Sequence, residues 1–448
     1  MPSSTPSGSD ADVVDLLVLG GGMAGLSAAA RAVALGSRVL LVERAPQLGG
    51  SALHAGYLWT GVTAEAMHAL NPDGDPALTA AVVDGFPAAL ALLDDLGVPY
   101  GPPVTVLRHG TGHQFDTASF VDAGRRRVAA AGEIVTGART DRLLTGPDGE
   151  VTGADVTLAD GTHREVRAAA TVLATGGFQA DPGLRAELVH PEAERIELRS
   201  NPSSRGDGLR LAREAGGRVV NRGGGFYGHL VPAGVRLDPD LFVELALYYS
   251  EHAVLFNLKG ERFVDETVGD HLTTMALLDQ PEARGLLVTD ARGYREWGVG
   301  AYVEGGPATD KFALARRRGG RCVVAESAGD FAEMPPEWGY AGDVVAGELT
   351  RIAAGDVPEG PGRRFDPRPL DEPPYYVIEV TPAITFPFAG IEVDASGRVL
   401  GAGGAPVAGL YAAGSDIGGL YVRAYAGGLA PAVVFGIAAA EHTARRMT

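Results

Sequence analysis

The chain has 448 residues, of which 45% are hydrophobic and 21% are charged, so it is long enough to form two packed domains. Its formal net charge of −18 creates a field that repels phosphates, and we expect neither nucleic acid nor an anionic membrane as a partner. The single cysteine, Cys322, excludes intramolecular disulfides, thiolate-ligated iron–sulfur clusters and CxxC redox pairs. We therefore expect no metal site, and any electron transfer would need a bound organic cofactor.

The first twelve residues are small, polar and acidic, and they lack the basic start and apolar core of a signal peptide. No uninterrupted apolar stretch approaches the ~20 residues that a membrane helix needs. We therefore expect a disordered leader and a cytoplasmic location.

A strand–helix–strand unit follows this leader. Residues Val13–Leu19 form an apolar run typical of a buried parallel strand. The pattern predicts an Ala-rich helix through about Leu35, ended by Gly36, and a second strand over Val39–Val42. A unit of this length is typical of one nucleotide-binding crossover.

The turn between the first strand and the helix fits the pattern GxGxxG. Its glycines allow a tight turn and close approach of a pyrophosphate, which the helix N-terminus attracts. Glu43 closes the second strand about twenty residues on, where a carboxylate can accept hydrogen bonds from a ribose. The sequence predicts a dinucleotide site that includes Gly20, Gly22, Met23, Ala24, Gly25, Glu43 and Arg44.

The rest of the chain divides by pattern. Short alternating segments with turn signals predict antiparallel strands over residues 133–181. The stretch over residues 231–368 is less regular and is a candidate inserted domain. A final helix is predicted near Ala430–Arg446. We expect domain segments 1–230, 231–369 and 370–448, with the first and last in one domain.

Three later small-residue turns extend the dinucleotide pattern: Gly49-Gly50-Ser51, Ala174-Thr175-Gly176 and Gly414-Ser415-Asp416. Their order and spacing resemble the FAD-binding flavoproteins of the fumarate reductase and succinate dehydrogenase superfamily, which includes 3-ketosteroid and tricarballylate dehydrogenases. The resemblance runs from Val13 to Ala440. It implies an α/β fold with a Rossmann-type, glutathione-reductase-like FAD domain and an inserted α+β capping domain.

The resemblance also implies how FAD would be held. The last helix would direct its N-terminus, at Gly428, Leu429 and Ala430, toward the flavin. The histidine that links FAD covalently in some members would fall near Ala52, and His54 is out of register, so we expect non-covalent FAD. We interpret Arg262 and Glu266 of the GERFVDE segment as a structural ion pair.

On the substrate side, only part of the fumarate reductase residue set is present. His229 matches the first substrate histidine, while Asp270 and His271 stand where that family has a proton-donating arginine. Thr385 and Phe386 replace the paired histidine. Tyr425 resembles the carbonyl-polarising tyrosine of ketosteroid dehydrogenases, and Arg423 beside it is a candidate carboxylate partner.

These residues predict an enzyme that adds or removes hydrogen across a C–C bond next to a carbonyl or carboxylate. The substrate would be a small enone, ketone or carboxylate, and the electron partner stays open. For the proton-handling group, Tyr248 or Tyr249 are alternatives to His271 and Asp270. A flavin oxidase or isomerase is an alternative function, and so is a non-catalytic electron carrier.

Overall fold

A computed structural model describes residues 12–220, 223–301, 308–356 and 361–447. The leader expected at the N-terminus lies outside these ranges, except for its last residue.

The strands within these ranges are numbered in chain order. They are β1 (Asp12–Leu19), β2 (Val39–Glu43), β3 (Tyr57–Gly61), β4 (Tyr100–Val106), β5 (Gly110–Phe115), β6 (Glu133–Thr136), β7 (Arg139–Thr145), β8 (Val151–Thr157), β9 (His163–Leu173), β10 (Glu197–Leu198), β11 (Val219–Val220), β12 (Phe226–Pro232), β13 (Val254–Phe256), β14 (Gly285–Thr289), β15 (Val299–Gly300), β16 (Thr309–Asp310), β17 (Cys322–Ala325), β18 (Tyr375–Pro387), β19 (Gly390–Ile391), β20 (Arg398–Leu400) and β21 (Pro406–Ala412).

The α-helices are numbered in the same way. They are α1 (Met23–Ala34), α2 (Ala64–Leu70), α3 (Pro76–Leu96), α4 (Thr117–Ala129), α5 (Pro182–Leu188), α6 (Asp207–Glu214), α7 (Asp270–Leu278), α8 (Ala291–Gly293), α9 (Lys311–Arg317), α10 (Gly342–Ala353) and α11 (Leu429–Met447).

The larger sheet has the strand order β20–β21–β9–β1–β2–β6. Strand β1 is parallel to both β2 and β9, and Leu16, Leu17 and Val18 at its centre are fully buried, as the apolar run predicts. Strands β7, β8 and β9 form the predicted antiparallel ribbon. This sheet gives the protein a mixed α/β fold in which several strands end at one edge.

Helices α1 and α11 pack against each other beside this sheet. The contact is close because the residues are small: a Cβ on Gly436 would lie 2.6 Å from the Ala24 carbonyl oxygen. A salt bridge of 2.6 Å between Arg31 and Glu441 joins the two helices at the surface. This packing places the start of α11 near the glycine turn that precedes α1.

The second sheet is built around β18, which pairs with β10, β12, β14 and β17. The pairing of β18 with β12 and β14 places residues 375–387 in this second sheet. The three domain segments stay a prediction.

Helix α3 is long and apolar enough to cross a membrane by length and composition alone, and 39% of its most apolar window is buried inside the protein. Seven of its residues, from Leu78 to Leu93, are buried, and the helix packs on α11 and α2. It thus contributes to the core of the described structure.

Candidate active site

A cavity of about 1550 Å³ opens where several strands of the larger sheet end. It is lined by Leu19, Glu43, Ala174 and Ala413, which stand at or just after the carboxyl ends of β1, β2, β9 and β21. Ligands of open α/β sheets bind at this edge. The cavity continues to residues of the second sheet, so the glycine turns and the candidate substrate residues share one space.

The glycine turn after β1 leaves room only for backbone. Gly20 has a φ of 109°, and a Cβ there would lie 2.1 Å from the Ala174 carbonyl oxygen. A Cβ on Gly25 would lie 1.8 Å from the Gly20 carbonyl oxygen, so this residue sets the close packing of helix on turn. Gly22 forms an isolated bridge with Gly49, which brings the two glycine turns together. The bare backbone surface at the start of α1 fits the pyrophosphate of FAD.

Glu43 lies at the cavity wall as predicted, and backbone groups fix its orientation. The Gly21 N–H donates to its Oε2 (2.6 Å) and the Ala45 N–H donates to its Oε1 (2.7 Å). Each carboxylate oxygen retains a second lone pair, which can accept from a ribose hydroxyl. Arg44 forms a salt bridge of 3.0 Å with Asp207, so it also ties α6 to this end of the cavity.

Most residues predicted to bind FAD line the cavity. They are Gly20, Gly22, Met23, Ala24, Glu43, Arg44, Gly49, Gly50, Ser51, Ala174, Thr175, Gly176, Gly414, Ser415, Gly428 and Leu429.

Three predicted residues lie outside that lining. Gly25 and Ala430 are buried in helix packing. Asp416 is buried and accepts from the backbone N–H groups of Thr175, Gly176 and Gly177 and from the Thr175 hydroxyl. Its carboxylate therefore joins two turns that border the cavity, and its contact with FAD stays a prediction.

Antiparallel pairing of β12 with β18 builds the substrate end of the cavity. Tyr227 lies opposite Phe386, and His229 lies opposite Ala383, with a bulge between Tyr227 and Gly228. A Cβ on Gly228 would lie 2.1 Å from the Ala383 carbonyl oxygen, so glycine is required at this bulge. Tyr227 and His229, two positions apart in the strand, both line the cavity.

His229 and Asp270, predicted independently, form a buried pair. The His229 Nδ1 is hydrogen-bonded to Asp270 Oδ2, and the other carboxylate oxygen accepts from the Ser250 hydroxyl (3.3 Å). Burial lowers the pKa of His229, with the positive charge of Arg199 adding to the effect. A neutral His229 donates from Nδ1 to the carboxylate, which leaves the Nε2 lone pair as its acceptor.

His271, the next residue, also lines the cavity and is 5% exposed. Burial lowers its pKa to about 4, which outweighs the opposite effect of Asp270. Its Nε2 has no hydrogen-bond partner among the described residues. His271 is thus a neutral imidazole beside the cavity, and its buried Nε2 is unsatisfied.

Tyr425 lies between aromatic rings at the cavity wall. It stacks on Tyr227 (3.6 Å between ring centroids) and meets Trp59 edge-on (5.2 Å). Burial raises the pKa of Tyr425. Its hydroxyl therefore keeps its proton at neutral pH and can act as a hydrogen-bond donor.

Arg423 does not join this site, which corrects the expectation of a carboxylate partner beside Tyr425. Its side chain is exposed and does not line the cavity. The Asn71 side-chain oxygen accepts from the backbone N–H groups of Val422, Arg423 and Ala424, at 3.0 to 3.1 Å. This contact fixes the direction of the segment, and only Ala424 and Tyr425 of it reach the cavity.

Arg199 is a cavity residue that the sequence analysis did not identify. It is 7% exposed, and its guanidinium donates to the Phe242 carbonyl, the Thr385 hydroxyl and the Tyr248 hydroxyl. No local pattern marks it, because its burial depends on the distant pairing of β10 with β18.

Arg262 and Glu266 behave as predicted. They form a buried bidentate ion pair (2.9 and 2.5 Å), and neither residue lines the cavity. Glu266 also accepts from the Leu255 N–H (2.9 Å), so the pair fixes a turn of the inserted segment.

A glycine cradle at the edge of a parallel sheet, with polar side chains across the cavity from it, defines a flavin-dependent oxidoreductase. The chain belongs to the FAD-binding domain family, whose model matches residues 15–429.

Two curated relatives and one solved structure illustrate the range of proteins to which the chain is similar. It is 27% identical to a fumarate reductase (cytochrome) of Shewanella frigidimarina, over 97% of this chain and 77% of that protein. It is 26% identical to a vinyl phenol reductase of Lactiplantibacillus plantarum, over 91% of each. The structure of 3-ketosteroid Δ1-dehydrogenase from Sterolibacterium denitrificans shares the fold, with a TM-score of 0.79 at 17% identity over 97% of this chain and all of that one.

Proposed function

We propose that this protein adds or removes hydrogen across a carbon–carbon bond next to a carbonyl or carboxylate, with FAD bound non-covalently. One observation carries the proposal: Tyr425, the His229–Asp270 pair and His271 face the same cavity as the glycine turns and the start of α11. The names of the relatives, a fumarate reductase and a vinyl phenol reductase, support the same chemistry.

The residues that would hold FAD are the glycine turns, Glu43 and the N-terminus of α11. Bound FAD supplies the hydride acceptor or donor of the reaction. The first N–H groups of a helix are not used within it, and they carry partial positive charge. Gly428 and Leu429, at the start of α11, can therefore stabilise negative charge in the cavity.

We assign Tyr425 the role of polarising the substrate oxygen. When a hydrogen leaves or enters the carbon next to a carbonyl, negative charge develops on that oxygen. A donor already in position, in a site with little water, stabilises that charge without reorganising. Burial keeps its hydroxyl protonated, and contacts with Trp59 and Tyr227 fix its ring.

We assign His271 the role of accepting the proton in the dehydrogenation direction. Its neutral imidazole lies beside the cavity and its Nε2 has no partner among the described residues, whereas the Asp270 carboxylate is engaged by His229. Nε2 is buried, so the assignment requires the His271 side chain to turn toward the bound substrate. A base needs a free lone pair within reach of the substrate carbon. In this assignment the His229–Asp270 pair orients the substrate from the β12 side.

The proposal includes a cytoplasmic location and a small-molecule substrate. The single cysteine is compatible with a reducing compartment, and the cavity has the scale of a site for FAD with a small ligand.

The test is an anaerobic screen of the reduced holoenzyme with enones and α,β-unsaturated acids, followed by flavin absorbance. We expect at least one compound to restore the oxidised spectrum much faster than buffer does, and the saturated product of that compound to bleach the oxidised enzyme or bind it competitively. If every compound leaves the reduced spectrum unchanged, the proposed chemistry is wrong.

A further inference from the structure

The arginines that line the cavity are not equivalent. Arg44, Arg108, Arg139 and Arg364 each form a salt bridge with a carboxylate, at 3.0, 2.7, 2.9 and 3.1 Å. Arg199 lines the same cavity and is more deeply buried, yet it has no carboxylate within 4 Å among the described residues.

All three hydrogen bonds that the Arg199 guanidinium donates to described residues are accepted by neutral oxygens. Its Nε donates to the Phe242 carbonyl (2.9 Å), its Nη1 to the Thr385 hydroxyl (3.2 Å) and its Nη2 to the Tyr248 hydroxyl (3.0 Å). A guanidinium has five N–H groups, so two are left without an acceptor in the described structure. A buried cation is costly without an ionic partner, and an anion that enters the cavity would supply one.

Thr385 extends this potential anion site. Its hydroxyl accepts from Arg199, which leaves its own proton to be donated. Thr385 lines the cavity two residues after Ala383, which pairs with His229 across the strands. A cation and a hydroxyl donor thus lie side by side at the substrate end.

The surroundings of Arg199 are apolar and aromatic. Its guanidinium lies 5.7 Å from the ring centroid of Phe242. Other apolar or aromatic residues that line the cavity are Val243, Phe386 and Tyr227. The nearby acids Asp240 and Glu244 line the cavity too, and they would disfavour a second negative charge on a ligand. Lys311 is a second buried cation nearby, but its Nζ donates to the Val243 and Glu244 carbonyls and it does not line the cavity. Among the described lysines and arginines that line the cavity, only Arg199 lacks a carboxylate partner, and one such cation matches one carboxylate on an apolar body.

We propose that Arg199, with Thr385, binds the carboxylate of the substrate, and that the substrate is a monocarboxylate with an apolar or aromatic body rather than a dicarboxylate or a neutral ketone. This inference rests on the proposed function, because that function makes the ligand of this cavity the substrate. Its own claim concerns only which class of ligand binds. Arg199 is then a specificity-determining residue, and Tyr425 and His271 keep their roles.

Isothermal titration of the oxidised holoenzyme tests the claim without turnover. The probes are trans-cinnamate, methyl trans-cinnamate and fumarate. We expect cinnamate to bind at least 10-fold more tightly than either of the others, since a charge-assisted hydrogen bond contributes roughly that factor or more. Equal or tighter binding of the ester or of fumarate by the wild-type protein would overturn the proposal, and so would a lack of cinnamate binding at millimolar concentration.

Variants then test whether Arg199 is responsible for the binding of cinnamate. Arg199→Met should weaken cinnamate binding on the order of 10- to 100-fold and leave methyl cinnamate within about 3-fold, while Arg199→Lys should fall between. Arg364→Met is the matched control, because Arg364 lines the cavity but is paired with Asp265 and 72% exposed. Cinnamate affinity unchanged in both Arg199 variants would reject the assignment.

FAD content and the thermal midpoint show whether the Arg199 variants fold. The titrations of the wild-type protein with the three probes do not depend on these variants. Failure of the reductive screen with intact cinnamate binding would reject the proposed function alone. Turnover with a preference for neutral enones would reject this inference alone.

Discussion

At the residue scale, the chemistry depends on side chains whose ordinary properties are changed by burial. Tyr425 is held protonated, and His229 and His271 are held neutral, because the cavity wall gives a charged form little solvation. A protonated phenol and a neutral imidazole are the forms that the proposed reaction requires as donor and base. Arg199 differs from these residues, because it is buried and has no carboxylate within 4 Å among the described residues.

Tyr425→Phe should leave FAD bound and slow the exchange of hydrogen between flavin and substrate by on the order of 100-fold. The ring and its stacking on Tyr227 are kept, so only the donor is lost. Tyr411→Phe is the control: its buried hydroxyl contacts His442 (2.8 Å) and lies outside the cavity. Stopped-flow absorbance gives the rate constant. A rate in Tyr425→Phe within about 3-fold of wild type would contradict the polarising role of Tyr425.

The buried state of His271 should make the protein less stable in acid. Its pKa is about 4 when folded and ~6.5 when unfolded, so the unfolded chain binds the additional proton in between. The free energy of unfolding should therefore fall as the pH is lowered from 6.5 toward 4, by up to about 1.4 kcal/mol per pH unit from this residue, with no such contribution above pH 6.5.

Thermal midpoints at pH 7.5 and 5.5 check this expectation. The decrease between the two should be smaller in His271→Asn than in wild type. In His163→Asn, which changes a histidine with a 79% exposed side chain, it should match wild type. An unchanged decrease in His271→Asn would show that this histidine is not buried in its neutral form.

At the element scale, glycine positions decide how closely α1 approaches its turn. Gly25→Ala would place a Cβ 1.8 Å from the Gly20 carbonyl oxygen, so the turn or the helix must move. We expect a lower thermal midpoint and loss of FAD on gel filtration. Gly347→Ala in α10 is the control, because a Cβ at this position meets nothing within 4 Å. Alanine there should stabilise the protein by up to about 1 kcal/mol. Retention of FAD by Gly25→Ala would contradict the role of this contact.

The elements near the dinucleotide motif were predictable because their determinants are local. An apolar run, a glycine turn and a second apolar run specify β1, α1 and β2 within a few residues. The antiparallel β7–β9 ribbon was predictable for the same reason, since turn signals separate its strands.

The features of the site that the sequence did not indicate depend on long-range contacts. Arg423 is next but one to Tyr425, yet Asn71, over 350 residues away in the chain, fixes the backbone direction that leaves it outside the cavity. Asp416 has the sequence position of a ligand-contacting residue, but its hydrogen bonds go to the turn after β9. Arg199 enters the cavity because β10 pairs with β18, a contact that no local pattern specifies.

At the scale of the whole molecule, the cavity joins the glycine turns of the larger sheet to the polar residues of β12, β18 and α7. Ala52 stands near the position where related proteins carry a linking histidine, and His54 contacts Phe242 edge-on (5.1 Å). We therefore expect acid or heat to release free FAD from the denatured chain, which absorbance of the filtrate after ultrafiltration would measure. Yellow colour retained by the precipitated protein would contradict non-covalent binding.

The central claim is that the protein exchanges hydrogen between flavin and a C–C bond. A single turnover of the reduced holoenzyme with an unsaturated acid or enone in deuterated water, without oxygen, tests it by mass spectrometry of the product. The account predicts a saturated product that carries two deuterium atoms, one on each former double-bond carbon, formed as the flavin is reoxidised. Recovery of unchanged compound, with a flavin that is reoxidised only when oxygen is admitted, would contradict it.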